Sequence, residues 1–194
     1  GFYLDKFDNR ELLRRMESGQ RVLNCFEYTS GFGIAALQGG AAHVLNVDSS
    51  APSLELAAAN FERNGFDPSH CELHCANAFE YLRELKQRGE HFDIVVLDPP
   101  KFAETKAQFQ RAARAYKDIA LQGAGLLRPG GLLFTFSCSG AIDLPLFQKI
   151  TADAVLDAGR RGQILHYMHQ AADHPVGLPF PESLYLKGLV CRIE

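Results

Sequence analysis

Residues 92–102 read FDIVVLDPPKF. Ile94 to Leu97 form a short, β-branched apolar run, as a strand buried on both faces of a parallel sheet requires. The run stops at Asp98. Two prolines then fix the backbone and remove two amide donors, so Asp98, Lys101 and Phe102 are expected in a rigid turn at the strand's carboxyl end. In open α/β sheets that edge carries the ligand. Punctuation between a strand and a loop is the plainer meaning of D-P-P-K taken alone, but NCFEYTSGFG at 24–33 and TFSCSG at 135–140 weigh against it.

Working outward, strand-like and helix-like segments alternate. RVLNCFEY (21–28), HVLNVDSS (43–50), CELHCAN (71–77), FDIVVLD (92–98) and GLLFTFSCS (131–139), the last after an R-P-G-G turn, read as strands. Between them, IAALQGG (34–40), SLELAAANFERNG (53–65), AFEYLRELKQRG (78–89) and a long stretch from Lys106 to Leu127 read as helices. LFQKITADAVLDAGR (146–160) is a further helix, and DNRELLRRMES (8–18) a leading one with Asp8 as N-cap and Glu11 at capping-box spacing. This alternation predicts a doubly wound, Rossmann-like, seven-stranded and mostly parallel sheet with right-handed crossovers. QILHYMHQ and SLYLKGLVCRI, joined by the loop AADHPVGLPFPE without a helix, predict a C-terminal antiparallel hairpin. The expected organisation is one domain over residues 1–194, a helical lead-in to residue 20 and the core from 21.

With 194 residues, 46% hydrophobic and 22% charged, the chain can bury one sizeable core. No run is apolar enough to span a membrane and none reads as a signal peptide. Because the sequence opens on Gly1 rather than Met, it reads as an excised domain. Lys and Arg total 20 against 23 Asp and Glu, a formal charge of -3, which argues against a protein that coats nucleic acid indiscriminately but leaves room for a local basic patch. The five cysteines are odd in number and lack paired C-x-x-C spacing, so a reduced, cytoplasmic chain without a metal site is expected.

The chemistry-bearing residues fall at strand ends. The small-residue turn after the first strand brings backbone amides close to a ligand, and Asp48 ends the second strand where ribose hydroxyls are read. Gly31-x-Gly33 is a weak fingerprint, because Ala36 stands where a nicotinamide-binding motif needs its third glycine. Asn77 and Ala78 end the third strand; Asn77 suits an adenine amino group, an N-cap of the next helix, or both. Asp98 ends the fourth. A turn, a carboxylate, an amide and a second carboxylate in that order suit a ligand containing adenosine. Cys138 ends the fifth strand, which should pair with the fourth, so its thiol belongs beside Asp98 and Lys101, whose charge would favour the thiolate. Cys25 and Cys191 lie within strands and read as packed thiols. From Lys101 to Lys117, five cations (Lys101, Lys106, Arg111, Arg114, Lys117) stand against Glu104 alone, with Phe102, Phe109 and Tyr116 interleaved. That pattern suits either an RNA-facing helix or a solvated amphipathic one.

NCFEYTSGFG, VLDPPKF, RAYKDI and TFSCSG together resemble the class I S-adenosylmethionine-dependent RNA methyltransferases, and among them the family that methylates carbon 5 of a cytosine in 23S ribosomal RNA. The likeness runs from GFYLDKFDNR to the YLKG tail. It implies Cys138 as nucleophile with Asp98 and Lys101 beside the target base. It implies a cofactor pocket from Tyr28, Thr29, Ser30, Gly31, Asp48, Ser49, Asn77, Ala78 and Asp98, and RNA contacts from Lys101, Phe102, Lys106, Arg111, Arg114, Tyr116 and Lys117. It further implies S-adenosyl-L-methionine as cofactor, 23S rRNA or an assembling large subunit as partner, and an N-terminal PUA-type RNA-binding domain. Two positions depart from the family: Phe7 replaces an arginine usual in the opening segment, and Asn77 stands where Asp is common. The rivals are a base-nitrogen methyltransferase of the D-P-P type, which needs no cysteine, a non-catalytic RNA- or nucleotide-binding module, and a nicotinamide oxidoreductase, which the glycine spacing disfavours.

Overall fold

The computed structural model describes residues 4–16, 18–102 and 108–194. The elements in chain order are α1 (Phe7–Met16), β1 (Arg21–Cys25), α2 (Gly31–Gly39), β2 (His43–Asp48), α3 (Ala51–Arg63), β3 (Cys71–Cys75), α4 (Ala78–Gln87), β4 (Phe92–Leu97), α5 (Phe109–Leu126), β5 (Leu127–Ser137), α6 (Leu144–Asp157), β6 (Gly162–Met168) and β7 (Lys187–Ile193). One sheet holds the seven strands in the order β3-β2-β1-β4-β5-β7-β6. β1 to β5 run parallel, while β7 lies antiparallel between β5 and β6. The doubly wound sheet and the antiparallel C-terminal pair are as the sequence predicts. The last strand, however, enters the sheet beside β5 and leaves β6 as the edge.

The apolar run of β4 explains the two-layered core. Val95 and Leu97 pack on one face with Leu23 and Tyr116, and Ile94 and Val96 on the other with Val22 and Phe134. Each such side chain contributes roughly 1.5–3 kcal/mol by leaving water, so β4 cannot slip by one residue without exchanging its two faces. Helix ends are set locally. The Ser50 side chain accepts the Ser53 N–H (3.3 Å) ahead of α3, and Asp143 accepts that of Leu146 (2.9 Å) ahead of α6. Since β1 lies between β2 and β4, the chain leaves β1 toward opposite sides of the sheet in its two halves, and a crevice opens at the carboxyl end of that junction.

Three local expectations are corrected. A 3-10 turn over Leu4–Lys6 runs straight into α1, so Asp8 sits in the first helical turn rather than at the cap. The cause is tertiary: the Asp5 carbonyl accepts the Ala171 N–H (2.7 Å), and Asn9 Nδ2 donates to the His169 carbonyl (3.1 Å), which ties the lead-in to the end of β6. Arg128–Gly131 lies inside β5 as an irregularity opposite Phe92 and Ile94, not before the strand. There Gly130 has φ +83°, and a Cβ on Gly131 would meet the Asp93 carbonyl at 2.8 Å. The helix expected from Lys106 is described from Phe109, and Lys106 itself lies outside the described residues. Among the described residues no helix is long and apolar enough to cross a membrane.

Gly33 has its explanation in packing rather than in ligand binding. A Cβ there would overlap the Ser30 hydroxyl and stand 2.5 Å from Asn46 Oδ1, so glycine is what lets α2 approach β2. Gly33→Ala is expected to destabilise the fold by about 1–3 kcal/mol through overpacking; a urea midpoint equal to that of the wild type would remove this account.

Candidate functional site

The carboxyl edge of β1, β2 and β4 forms one wall of a cavity of about 920 Å³, whose lining includes Glu27, Asp48, Asn77, Asp98 and Cys138 from strand ends and Lys6 from the lead-in. The turn after β1 is backbone-driven. Phe26, Tyr28 and Ser30 have φ of 60°, 51° and 61°, three non-glycine residues in the left-handed region. Such residues cost of order 1–3 kcal/mol each and persist only where the surroundings hold them. Here Phe26 N–H donates to the Val47 carbonyl (2.9 Å), Ser30 N–H to the Glu27 carbonyl (2.9 Å), and Tyr28 N–H to Asp48 Oδ2 (2.9 Å). Asp48 Oδ1 accepts the Ser50 N–H (2.8 Å), so both oxygens are oriented by backbone and each keeps accepting capacity toward the cavity.

Tyr28, Thr29, Gly31, Ser49, Asn77 and Ala78 all line the cavity, as expected. Asn77 is also the N-cap of α4, accepting the Phe79 N–H on Oδ1 (2.9 Å). Ser30 is a correction: it is fully buried and its hydroxyl donates to Asn46 Oδ1 (2.8 Å), beside the bond from Asn24 Nδ2 (3.0 Å), so its side chain serves the β1–β2 seam.

Asp98 stands at the mouth of β4, where the Lys6 ammonium reaches both of its oxygens at 2.6 Å. Both side chains are close to fully enclosed. Burial pulls the Lys6 pKa down, but the charges of Asp98 and Cys138 outweigh it and hold Lys6 protonated above its ordinary value. Burial pushes Asp98 up against the pull of Lys6. Cys138 follows directly on β5 and lines the same cavity. Burial raises its thiol pKa, Lys6 and to a lesser degree Lys187 draw it down, and Asp98 and Asp5 add to the rise. Lys187 Nζ donates to the Ser139 (2.7 Å) and Tyr185 (2.8 Å) carbonyls, which fixes the backbone around the thiol.

The cations that act on Cys138 are therefore Lys6 first and Lys187 second, not Lys101, which is exposed at the rim. Lys6 escaped the sequence reading because a lysine in a polar helical lead-in looks solvated; the only signal was the departure at the neighbouring Phe7. Glu27 and Tyr185, whose hydroxyl donates to Asp5 Oδ2 (2.6 Å), were missed as well. Tyr116 is a second correction. It is 1% exposed, packed against Phe102 (4.8 Å between ring centres) and Phe147, with its hydroxyl 3.1 Å from Ser139 Oγ, so it cannot face RNA. Arg111 and Arg114 are exposed, Lys117 pairs with Asp157 (2.7 Å) on α6, and Phe102 lines the cavity. Cys25 and Cys191 are core thiols that burial makes inert, the latter pushed up to about 12. Among the described residues no group of three His, Cys, Asp or Glu side chains could hold a metal.

Residues 1–189 match the S-adenosylmethionine-dependent methyltransferase family. Proteins named ribosomal RNA large subunit methyltransferase I are similar over nearly the whole chain: that of Aeromonas salmonicida is 56% identical over 192 residues (99% of this chain, 48% of that protein) and that of Tolumonas auensis 57% identical over the same length and shares. The chain thus spans about half the length of these relatives. Among solved structures, SMU.776 complexed with SAH superposes with a TM-score of 0.88 at 27% identity, over 98% of this chain and 50% of that one.

Removing Lys6 leaves Asp98 buried without its cation, so Lys6→Met is expected to lose about 3–5 kcal/mol of stability. In the same variant the alkylation of Cys138, followed by peptide mapping, should shift to higher pH. An unmoved alkylation profile would show that Lys6 does not act on the thiol.

Proposed function

We propose that this chain, which belongs to the S-adenosylmethionine-dependent methyltransferase family, methylates carbon 5 of a cytosine in 23S ribosomal RNA through a transient bond from Cys138. The observation that carries this reading is a cysteine at the mouth of β5 sharing one cavity with Asp98, the D-P-P-K turn and the Lys6 ammonium. A base nitrogen has a lone pair and needs no such thiol; carbon 5 of cytosine has none.

The residues present fit the cofactor. Asp48 retains acceptor capacity for a ribose hydroxyl pair, Asn77 and Ala78 border a place for adenine, and the buried Glu27 carboxyl has no hydrogen-bond partner among the described residues. When bound, S-adenosylmethionine supplies a methyl carbon on a sulfonium, an electrophile for carbon 5. Cys138 gives up its proton and bonds to carbon 6 of the ring, which places electron density on carbon 5; after carbon 5 is substituted and its proton leaves, the carbon–sulfur bond breaks and Cys138 is regenerated. In this reading Asp98 holds the ring nitrogen and amino edge, and Lys6 offsets the charge on sulfur. The cytosine must leave its stack to reach the cavity, at a cost of a few kcal/mol. Lys101 and Phe102 line the cavity, and Arg111 and Arg114 are exposed on the first turns of α5. The relatives' ribosomal RNA large subunit supports the substrate, an N-terminal PUA-type domain belongs to the same reading, and five free thiols fit a reduced cytoplasmic setting.

Cys138→Ala is expected to abolish methylation while keeping the fold and cofactor affinity. With 5-fluorocytosine in the RNA, carbon 5 has no proton to lose, so a denaturation-resistant adduct that needs S-adenosylmethionine should form and map to TFSCSG. Methylation by Cys138→Ala, or an adduct on another cysteine, would overturn the assignment. Asp48→Ala should weaken S-adenosylmethionine binding by about 1.5–3 kcal/mol, the worth of hydrogen bonds to a charged acceptor, as read by calorimetry; unchanged affinity would remove Asp48 from the pocket.

A further inference from the structure

In the proposed reaction a proton must leave carbon 5, and the sheet order limits where its acceptor can stand. Sulfur bonds to carbon 6 from one face of the ring and carbon 5 takes its methyl group from the other, which turns the proton of carbon 5 toward the sulfur. Asp48 and the turn after β1 lie on the β2–β1 side of the cavity, and Cys138 on the side of β5, β7 and β6. The acceptor therefore belongs to the β5–β7–β6 side.

β7 is antiparallel to both β5 and β6, so the segment 169–186 that joins β6 to β7 lies at the carboxyl edge of β5, and it ends next to Cys138 because Lys187 pairs with Ser137. It is braced there. The Ala171 N–H donates to the Asp5 carbonyl (2.7 Å), the Tyr185 hydroxyl to Asp5 Oδ2 (2.6 Å), and Gln170 Nε2 to the Ser183 carbonyl (2.6 Å). His174 and Tyr185 of this segment line the cavity. Burial and the bond to Asp5 raise the Tyr185 pKa, and the charges of Cys138 and Asp173 add to the rise, so its hydroxyl keeps its proton and stands within electrostatic reach of both residues. The neighbouring groups are committed: Lys187 donates to the Ser139 and Tyr185 carbonyls, Asp98 holds Lys6, and Asp5 accepts from Tyr185 on Oδ2 with Oδ1 enclosed. His174 remains. Its Nδ1 lies 3.0 Å from Asp173 Oδ1, and with the Nδ1 proton directed at that carboxylate, Nε2 is the acceptor. Pro175 restricts the backbone that carries the ring.

We propose that His174, oriented by Asp173, is the base that takes the proton from carbon 5 and so frees Cys138 from the ring. This rests on the proposed methylation of cytosine carbon 5. As the carbon–hydrogen bond breaks, its electron pair forms the double bond between carbons 5 and 6, and the carbon 6–sulfur pair returns to Cys138. The proton passes to Nε2 and then to solvent, to which the exposed imidazole is open. Imidazole is the side chain suited to hold a proton briefly near neutrality.

Methylation of 23S ribosomal RNA transcribed with 5-tritiated cytosine tests this, because turnover frees the tritium only when carbon 5 loses it. His174→Gln should slow tritium release about 100-fold or more while the methyl group still reaches carbon 5. A denaturation-resistant adduct of protein and RNA that carries the methyl group should therefore accumulate on ordinary cytosine, where the wild type turns over. With 5-fluorocytosine, which stops both proteins at the same stage, wild type and variant should form the adduct at equal rates. Asp173→Asn should accumulate the same adduct on ordinary cytosine to a smaller extent. Both residues are exposed, so these substitutions leave the fold intact. Tritium release by His174→Gln at the wild-type rate would overturn the proposal. So would a 5-fluorocytosine adduct slowed as much as turnover, which marks a residue that only positions the RNA. A wild type that neither frees tritium nor forms the 5-fluorocytosine adduct would instead remove the carbon 5 reading on which the proposal rests.

Discussion

The Lys6 ammonium placed on both oxygens of Asp98 ties the site together. It joins the lead-in to the mouth of β4 across 92 residues of sequence and puts a positive charge against Cys138 in a place that burial makes poor in solvent. Desolvating two charges can cost as much as their attraction returns, so the pair is weak grounds for stability as such. Its geometric consequences are firmer. With Asp5 held by Tyr185 and by the Ala171 amide, the lead-in is fixed as part of the cavity lining. The two prolines after Asp98 fix the backbone that leaves the mouth of β4.

The opposite wall is built on strain. Three non-glycine residues with positive φ alternate through the turn after β1, and they are held by amides that donate to the end of β2 and by a buried polar seam of Asn24, Asn46 and Ser30. Gly33 admits Asn46 and Ser30 between α2 and the sheet, and the seam in turn positions the turn that orients Asp48. The glycine spacing that fails as a dinucleotide fingerprint therefore has a purpose in packing.

The central strands were legible because burial on both faces removes the polar half of the β alternation, leaving uninterrupted runs such as Ile94 to Leu97. Strand ends at Asp48, Asn77, Asp98 and Cys138 were legible because each polar residue closes such a run, and sheet order then gathers them at one edge. Other features depend on contacts that sequence does not display. Lys6 is distinguished from any solvated lysine only by Asp98, Glu27 from a polar turn residue only by the absence of partners, and Tyr116 from an RNA-facing aromatic only by the Phe102, Phe147 and Ser139 neighbours that enclose it. The R-P-G-G segment reads as a turn, yet its glycines let β5 continue through an irregularity against Asp93.

Charge on the surface bears on how a mildly acidic chain meets the proposed RNA. Several cations are already engaged: Arg21 with Glu90 (2.6 Å), Arg128 with Asp93 (2.8 Å), Lys117 with Asp157 (2.7 Å), and Arg83 with Asp118. Exposed pairs of this kind are worth about 0–1 kcal/mol, so a phosphate can replace the carboxylate at little cost. Lys101, exposed at the cavity rim, and Arg111 and Arg114, exposed on the first turns of α5, differ in that no carboxylate ion pair is seen for them among the described residues. A few such contacts give a shallow dependence of affinity on salt and orient an RNA without holding it tightly. Selection of one cytosine must then come from the cavity itself, where a flipped base meets Asp98 and Cys138, and from whatever surface lies outside this half of the relatives' length.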